Sequence, residues 1–299
     1  MLLKSLLLKG ESKLTDIKLE NVTYVYSPNT PFRKEALENI NITFHGGKLT
    51  GLIGHTGSGK STLAQLLNGL LKPTSGRVLL GNCDIWEEPK NIGLIRHKVG
   101  LVFQYPEYQL FEETVYSDIA FGPKNMGLSG KDLDTVVRQA AEFVGLSSEL
   151  LEKSPFELSG GQKRRVALAG VIAMEPEVLV LDEPAAGLDP RGRQEILTGI
   201  KAYQRTKNNS VILISHSMED ISEYADEIVV LKNSRILSSG SVEDVFNNAQ
   251  LISSNGLALP SVTEIILELK RRGIDLKTVY TTNDAIKEIK QLLQQQFQE

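Results

Sequence analysis

The sequence has very little cysteine and no long apolar run. Cys83 is the only cysteine among 299 residues, which excludes an internal disulfide framework and suits a reducing compartment. No run approaches the roughly 18 apolar residues that a membrane-spanning helix needs. The first 15 residues include an apolar patch interrupted by a lysine, without a small-residue cleavage site, which favours a tail or short amphipathic piece over a signal peptide. We therefore expect any membrane role to come through a partner.

The sequence also lacks a strong charge of either sign. Its net charge is −4 and its pI is near 5.7, so there is no global basic footprint for nucleic acid, although a local basic patch stays possible. A hydrophobic content of 41% and a charged content of 23% are ordinary for a globular protein. At this length, one large α/β domain with an appendage is expected rather than two equal domains.

The strongest motif is a glycine-rich stretch between an apolar run and a helical pattern. Residues 54–61 fit GxxxxGK[ST], the P-loop pattern, whose glycines let backbone N–H groups and a helix N-terminus point at phosphate oxygens. Lys60 adds positive charge for the β- and γ-phosphates, and the Ser61 hydroxyl is a Mg²⁺ ligand. The alternative is a glycine-rich turn that binds nothing, which the flanking strand and helix disfavour. The nucleotide-binding candidates here are Gly54, His55, Thr56, Gly57, Ser58, Gly59, Lys60, Ser61 and Thr62.

A β-subdomain is predicted before this motif. Residues 16–26 and 40–44 alternate apolar and polar side chains, as half-buried antiparallel strands do, and a Pro-containing loop joins them. Tyr24 and Tyr26 lie near the end of the first strand, where an aromatic ring could stack on a base. Core packing is an equal alternative for either ring. Tyr26 is the chosen candidate because it is closest to the loop.

The middle of the chain combines short strands with a helical insert, placed at about residues 105–170. Strands are predicted at 77–80 and 98–104, the second ending on Gln104, and aromatic residues follow it. A helix is predicted over 128–151, and Ser159 is the predicted N-cap of a helix over 164–174. A groove beside Gln104 and its aromatics is the predicted docking surface for a partner, with packing beneath the insert as the alternative.

The remaining pattern predicts a parallel sheet and a small C-terminal domain. A buried strand at 177–181 leads to Asp182 and Glu183, and a strand at 211–215 leads to His216. Helices are predicted at 190–206 and after Ser217, with strands at 227–231 and 235–237. Composition changes after residue 250, and two helices are predicted at 261–272, with a Ser-x-x-Glu cap, and at 284–297.

The two strand ends carry the predicted chemistry. Asp182 is placed to hold Mg²⁺ directly or through water, and Glu183 can accept a proton from an attacking water. His216 could donate a hydrogen bond to the γ-phosphate. A lone strand-end histidine is usually structural and a lone acidic pair is usually solvated, but both follow apolar strands, at the sheet edge where open α/β sheets bind ligands.

These motifs together resemble the ATP-binding cassette (ABC) ATPases. The resemblance rests on LSGGQ at 158–162, VLVLDEP at 178–184, AGLDP at 186–190, Gln104 and His216, in the family's order over about residues 16–245. It implies an α/β P-loop cassette over 16–250, with a mostly parallel core sheet, an antiparallel β-subdomain and a helical insert, followed by a C-terminal helical extension at 251–299. ATP and Mg²⁺ are the implied cofactors. Lys60, Gln104, Glu183 and His216 are the implied catalytic residues, with Ser61, Gln104 and Asp182 as metal ligands.

Residues 104–125 and 164–190 further resemble the ATPases of energy-coupling factor transporters, which include cobalt and vitamin importers, and the second of the two paired ATPases in particular. Lys163 and Ala185 depart from the family pattern at peripheral positions. The resemblance implies an ATP-hydrolysing motor at the cytoplasmic face of the cell membrane, with a polytopic coupling subunit and a substrate-binding membrane subunit as partners.

In that family two cassettes close head to tail, so the signature residues Ser159, Gly160, Gly161 and Gln162 would complete the site of a second ATPase. A paralogous ATPase is the expected partner, a homodimer stays possible, and no nucleic acid is expected. We expect the extension at 251–299 to contact the same segment of that partner; folding back on its own cassette is the alternative. A soluble ABC ATPase acting on nucleic acid or ribosomes, and a nucleotide-binding partner with a dead site, are the competing functions.

Overall fold

The computed structural model describes residues 14–248, 252, 254 and 256–296. The predicted N-terminal piece over residues 1–13 lies outside these residues. Ten strands are assigned in the described chain: β1 (Ile17–Tyr26), β2 (Lys34–Phe44), β3 (Leu49–Ile53), β4 (Ser75–Leu80), β5 (Cys83–Asp84), β6 (Val99–Val102), β7 (Val178–Asp182), β8 (Ser210–Ile214), β9 (Glu227–Lys232) and β10 (Arg235–Ser241). The described helices longer than one turn are α1 (Lys60–Leu67), α2 (Ile92–Lys98), α3 (Val115–Asn125), α4 (Gly130–Phe143), α5 (Gly160–Ile172), α6 (Pro190–Lys207), α7 (Met218–Tyr224), α8 (Val242–Asn247), α9 (Ser261–Arg271) and α10 (Thr282–Gln296).

The strands form two sheets, which confirms the predicted fold class. The larger sheet has the order β10-β9-β3-β8-β7-β6 and is parallel except for the β9–β10 pair. The smaller sheet has the order β2-β1-β4-β5 and is antiparallel. Because the strands of the larger sheet are parallel, the carboxyl ends of β3, β7 and β8 lie at one edge. The residues that follow these three strands therefore share one end of the sheet.

Both faces of the parallel sheet are covered, as its continuous apolar strands predict. Successive side chains of a strand point to opposite faces. Leu179 and Leu181 accordingly join the core beneath the insert helices and the C-terminal segment. Val178 and Val180 join the core that includes the antiparallel sheet and α1. The sheet is thus a rigid platform for residues at its edges.

The helical insert differs in detail from its prediction. The helix predicted over 128–151 is wrong in extent: α4 ends at Phe143, and Gly145 has a φ of +71, which a helix cannot accommodate. A short 3₁₀ turn, Ser148–Leu150, follows. The aromatic stretch contains an unpredicted helix, α3, which buries Val115, Ile119 and Ala120 on one side despite Pro123. The strand predicted to start at residue 40 instead begins at Lys34.

The C-terminal segment has a small core of its own and also packs on the cassette. Ile266, Leu276 and Ala285 form that small core between α9 and α10. The predicted Ser-x-x-Glu cap of α9 is wrong, because Pro260 is the N-cap residue. The hydroxyl of Ser261 instead donates to Glu219 Oε1 at 2.8 Å, on α7 of the cassette. None of the helices within the described part of the chain is long and apolar enough to cross a membrane.

Candidate functional site

The P-loop connects β3 to α1 in a conformation that is closed to side chains at two positions. Gly54 has a φ of +155, and a Cβ there would lie 2.2 Å from the carbonyl oxygen of Leu231. Gly59 has a φ of +109, and a Cβ there would lie 2.4 Å from the carbonyl oxygen of Ala36. The loop therefore passes directly against β9 and β2, where only glycine fits. This contact fixes where the N-terminus of α1 begins.

A cleft of about 270 Å³ opens at this edge of the sheet and brings together most of the predicted site residues. A larger cleft of about 690 Å³ beside β1, β2 and β9 contains none of the motif residues, so the chemistry identifies the smaller one. Lys34 and Ala36 at the start of β2 were not predicted, because that stretch reads as a loop. The lining residues are Tyr26, Lys34, Ala36, Thr56, Gly57, Gly59, Lys60, Ser61, Thr62, Gln104, Asp182, Glu183 and His216.

Lys60 is buried at the start of α1 and is held by the loop itself. Its Nζ donates to the carbonyl oxygens of Gly54 at 2.7 Å and His55 at 3.0 Å. Burial lowers the pKa of Lys60, while the charges of Glu183 and Asp182 raise it. A phosphate oxygen can replace these carbonyls as the acceptor, which would stabilise the charge more strongly. Lys60 is therefore poised for an anion rather than engaged in a salt bridge.

Two carboxylates lie at the carboxyl end of β7, Asp182 as its last residue and Glu183 directly after it, and they differ in their surroundings. Burial raises the pKa of Asp182, while a hydrogen bond from Ser61 and the charge of Lys60 lower it. Burial, followed by the charge of Asp182, raises the pKa of Glu183 from 4.5 to about 7. Glu183 has a φ of +56, an uncommon conformation for a non-glycine residue. Its N–H donates to the carbonyl oxygen of Ile214 at 3.1 Å, which ties this strained residue to the neighbouring strand.

His216 follows β8 and faces Glu183 across the cleft. Its Nε2 lies 3.3 Å from Glu183 Oε1, but no hydrogen bond to that buried oxygen forms within the described residues. Burial, followed by the charge of Lys60, lowers the pKa of His216, with Asp182 opposing. A neutral imidazole is therefore favoured at neutral pH, and it can donate one hydrogen bond to a ligand.

The donor set fits a nucleotide with Mg²⁺. In the described chain, the buried Ser58 Oγ and Glu183 Oε1 have no hydrogen-bond partner, so the site contains unsatisfied polar atoms. The hydroxyl of Ser61, the carboxylate of Asp182 and the amide oxygen of Gln104 are hard oxygen ligands, which Mg²⁺ prefers together with phosphate oxygens and water. The described residues contain no cluster of three or more His, Cys, Asp or Glu that could hold a metal without such a ligand.

Tyr26 lies at the rim of the cleft. Its hydroxyl oxygen is 3.2 Å from Thr62 Oγ1, and the residue as a whole is 37% exposed. Tyr24 packs edge-on against it with ring centroids 4.8 Å apart, and is not among the residues lining the cleft. The geometry thus gives Tyr26 a ring surface beside the P-loop, and gives Tyr24 a supporting position.

The signature residues 159–162 lie elsewhere on the surface. Ser159 is the N-cap of α5, as predicted: Ser159 Oγ accepts from Gln162 N–H, and the Gln162 side chain accepts from Ser159 N–H. Ser159 and Gly160 are exposed. None of the residues 159–162 lines the cleft. The P-loop and residues 159–162 therefore lie at the N-termini of two different helices, at separate places on the chain.

The fold and the site define an ATPase of the ATP-binding cassette class. The ABC transporter family model matches residues 37–186. The energy-coupling factor transporter ATP-binding protein EcfA2 of Clostridium acetobutylicum is 55% identical over 280 residues, which are 93% of this chain and 98% of that protein. The EcfA2 protein of Clostridium tetani is 52% identical over 275 residues, 91% of this chain and 96% of that one.

Solved structures agree. The structure of cbiO1 from Clostridium perfringens, part of the ABC transporter complex cbiONQ, has a TM-score of 0.71 at 39% identity, covering 84% of this chain and 98% of that chain. A dimeric post-hydrolysis structure of the ATP-binding cassette MJ0796, bound to ADP and Pi, has a TM-score of 0.69 at 26% identity, covering 76% and 98%. The chain therefore belongs to the ABC transporter family, in the group of energy-coupling factor transporter ATP-binding proteins. A soluble ABC ATPase acting on nucleic acid or ribosomes finds no support in these relatives.

Proposed function

We propose that this chain is one of two paired cassettes that hydrolyse Mg²⁺-ATP at the cytoplasmic face of the cell membrane, with Glu183 as the general base. The observation that carries the proposal is the Glu183 carboxylate in the cleft beside the P-loop, whose side chain is 12% exposed and whose Oε1 is buried. Its pKa of about 7 matches the task of taking a proton at neutral pH. Of the two strand-end carboxylates, Asp182 would thereby serve the metal and Glu183 the attacking water.

The cleft supports a specific role for each residue. The P-loop, residues 54–62, holds the phosphates, and Lys60 exchanges its two carbonyl partners for phosphate oxygens. Ser61, Gln104 and Asp182 would hold Mg²⁺, which would offset the negative charge that develops on the transferred phosphoryl group. His216 donates to the γ-phosphate, which suits its neutral form. Adenine stacks on the exposed ring of Tyr26.

A second cassette is needed because this chain does not place its own signature residues in its own cleft. Ser159 and Gly160 at the N-terminus of α5 are exposed, which leaves this helix end accessible to the γ-phosphate of an ATP bound to the partner. The MJ0796 cassette is a dimer in a post-hydrolysis state bound to ADP and Pi, which supports a paired arrangement of cassettes. A paralogous ATPase is the proposed partner, since the related proteins carry a numbered subunit name.

The membrane partners are a polytopic coupling subunit and a substrate-binding subunit, and the transported substrate is a vitamin or a transition-metal ion. Support comes from the energy-coupling factor relatives and from cbiO1, which is part of a larger complex. The docking surface is the segment after Gln104, whose aromatic rings are exposed rather than packed. Tyr105, Tyr108 and Phe111 are 49%, 85% and 60% exposed.

The test is the Glu183→Gln variant in the assembled ATPase pair. It keeps the shape of the side chain but removes the proton acceptor, so hydrolysis at this chain's own site should fall by about 10² to 10⁴-fold while ATP still binds. Glu175→Gln is the matched control, because Glu175 is an exposed surface residue paired with Lys207 and remote from the cleft. Wild-type turnover by a pair carrying Glu183→Gln at this chain's site would contradict the assignment.

A further inference from the structure

Arg164 lies almost fully buried at the centre of three segments. Its side chain is 6% exposed. Its Nε and Nη2 donate to both carboxylate oxygens of Glu107 at 2.9 to 3.2 Å, and its Nη1 donates to the carbonyl oxygen of Ala186. The planar guanidinium thus joins two loops with separate donor atoms, which a lysine ammonium cannot do with the same geometry. No step proposed so far uses this residue.

The three segments that Arg164 joins have different proposed roles. Glu107 lies in the short 3₁₀ turn Pro106–Gln109, between the exposed rings of Tyr105 and Tyr108. Arg164 itself lies on α5, the signature helix. Ala186 closes the turn that begins at the proposed general base, since its N–H donates to the carbonyl oxygen of Glu183 at 3.2 Å.

We propose that Arg164 is a positioning residue that couples the docking segment to the turn carrying Glu183. The argument rests on the proposed roles of Glu183 and of the aromatic surface. A displacement of the 3₁₀ turn by a bound partner moves the Glu107 carboxylate, and Arg164 follows it because a buried charge cannot lose its counter-ion cheaply. The Ala186 carbonyl then loses or changes its donor, which alters the turn that holds Glu183 in its strained conformation.

The energetics of the buried Arg164–Glu107 ion pair favour a role in transmitting movement over a role in stability alone. A buried ion pair is weak evidence for stability, because desolvation offsets most of the attraction, but breaking it on one side is costly. Arg164 and Glu107 should therefore move together as a pair when the 3₁₀ turn moves, rather than separate. Packed interfaces of this kind convert small displacements into discrete changes.

The neighbouring arginine offers a matched control. Arg165 lies on the same helix and makes the same types of contact, with Nη2 donating to Glu195 at 2.6 Å and Nη1 to the carbonyl oxygen of Val144 at 2.7 Å. These contacts join α5 to α6 and to the end of α4. Neither Glu195 nor Val144 belongs to the docking segment or to the 183–189 turn.

The experiment measures amide hydrogen exchange in the full-length isolated chain, without nucleotide or partner, in peptides covering 105–111 and 183–189. Glu107→Gln weakens only the docking side of the pair, yet we expect exchange at 183–189 to rise by about five-fold or more. Glu195→Gln should leave 183–189 at the wild-type rate. Glu107→Gln/Arg164→Gln removes both charges together, so it avoids an unpaired buried charge, and it should raise exchange at 183–189 as well.

Two results would overturn the inference: a Glu107→Gln variant that changes exchange only at 105–111, or equal increases at 183–189 from Glu107→Gln and Glu195→Gln. In the assembled ATPase pair, Arg164→Lys should lower kcat while KM for ATP stays near the wild-type value, and Arg165→Lys should leave both near the wild-type values. The exchange measurement needs no hydrolysis, so its failure is separate from failure of the proposed function, which the Glu183→Gln variant tests.

Discussion

Glu183 combines a positive φ with a buried carboxylate, and both features place its chemistry under the control of the surrounding fold. Its backbone is held by Ile214 and Ala186, and its side chain faces His216. Strain of this kind persists only where neighbours over-determine the conformation, and it concentrates at functional sites. The motif predicts the residue, but the strain and the burial that tune it depend on strands far away in the sequence.

The first prediction follows from the pKa of Glu183 and concerns the pH below which hydrolysis slows. A general base must be ionised, so kcat/KM should fall below an apparent pKa near 7, the value that burial gives this carboxyl group. The measurement is the pH dependence of kcat/KM in the assembled pair at saturating Mg²⁺. A profile that stays flat from pH 8 to about 5 would show that another group accepts the proton.

The same pKa predicts how stability depends on pH. Because the folded pKa of Glu183 is raised from 4.5 to about 7, the folded chain binds the proton more tightly, and this group's contribution to stability falls as pH rises between those values. Glu183→Gln cannot ionise, so it should be more stable than the wild type above pH 7, by at most about 3 kcal/mol. Thermal unfolding of the nucleotide-free chain at pH 5 and pH 8 measures this. A melting-temperature difference that does not grow with pH would contradict it, and Glu175→Gln serves again as the control.

At the level of elements, the docking segment, residues 105–111, contains the short 3₁₀ turn Pro106–Gln109 and exposes the rings of Tyr105, Tyr108 and Phe111. The ring of Phe111 packs edge-on against the ring of Phe121 on α3, with ring centroids 4.9 Å apart. This contact preorganises the exposed aromatic residues of the docking segment. Large exposed apolar residues that gather in one place mark interaction sites, whereas single ones are normal. The alternative of simple packing under the insert does not fit side chains as exposed as Tyr108.

Tyr108→Glu should therefore weaken docking of the membrane subunit by about ten-fold or more without loss of ATP binding, since truncating or charging a central aromatic contact is costly. Pull-down titration with the coupling subunit measures the first, and a fluorescent nucleotide measures the second. Phe32→Glu is the control, because Phe32 is 83% exposed but lies in the β1–β2 loop. Equal weakening by both variants, or loss of ATP binding by Tyr108→Glu, would contradict the docking role.

The elements that sequence patterns predict well are those whose signal is local. The P-loop strand and helix, the β7 and β8 strands and the Ser159 cap all follow from residues within a few positions. The α3 helix was missed because Gly122 and Pro123 lie inside it, and tertiary packing of Ile119 overrides their low propensity. Lys34 in the cleft and the Arg164–Glu107 pair could not be predicted, because each depends on segments that meet only in the fold.

On the scale of the whole molecule, the C-terminal segment is anchored to the cassette at several points. Tyr280 stacks near Phe246 with centroids 5.9 Å apart, and Ser261 donates to Glu219, close to His216. Gly256, at a φ of +73, lies where a Cβ would come within 3.1 Å of His55 in the P-loop. The segment thus touches both α7, which follows His216, and the P-loop. Part of the segment therefore folds back on its own cassette, which is the alternative given above to contact with a second ATPase.

This anchoring changes how the proposed dimer contact should be tested. Truncation near residue 250 would remove Leu257 and Leu259 from the cassette core and uncover Phe246, so lost pairing could reflect damage to the cassette. The structure offers a cleaner variant. Ile265, Ile286 and Leu293 are 56%, 47% and 46% exposed, while Ile266 is fully buried in the small core.

The whole-molecule prediction therefore uses a full-length Ile265→Asp/Ile286→Asp/Leu293→Asp variant. Each of these side chains would contribute about 1.5 to 3 kcal/mol if fully buried against the second ATPase. Charging all three should thus weaken pairing without nucleotide by at least about ten-fold, because the nucleotide sites are then open and cannot hold the subunits together. ATP binding and nucleotide-dependent pairing should persist.

Sedimentation of the two-ATPase mixture with and without Mg²⁺-ATP measures both, with Leu94→Asp, on the exposed side of α2, as the control. A nucleotide-free pair as tight as the wild type would mean that these side chains face solvent in the complex and that another surface joins the subunits.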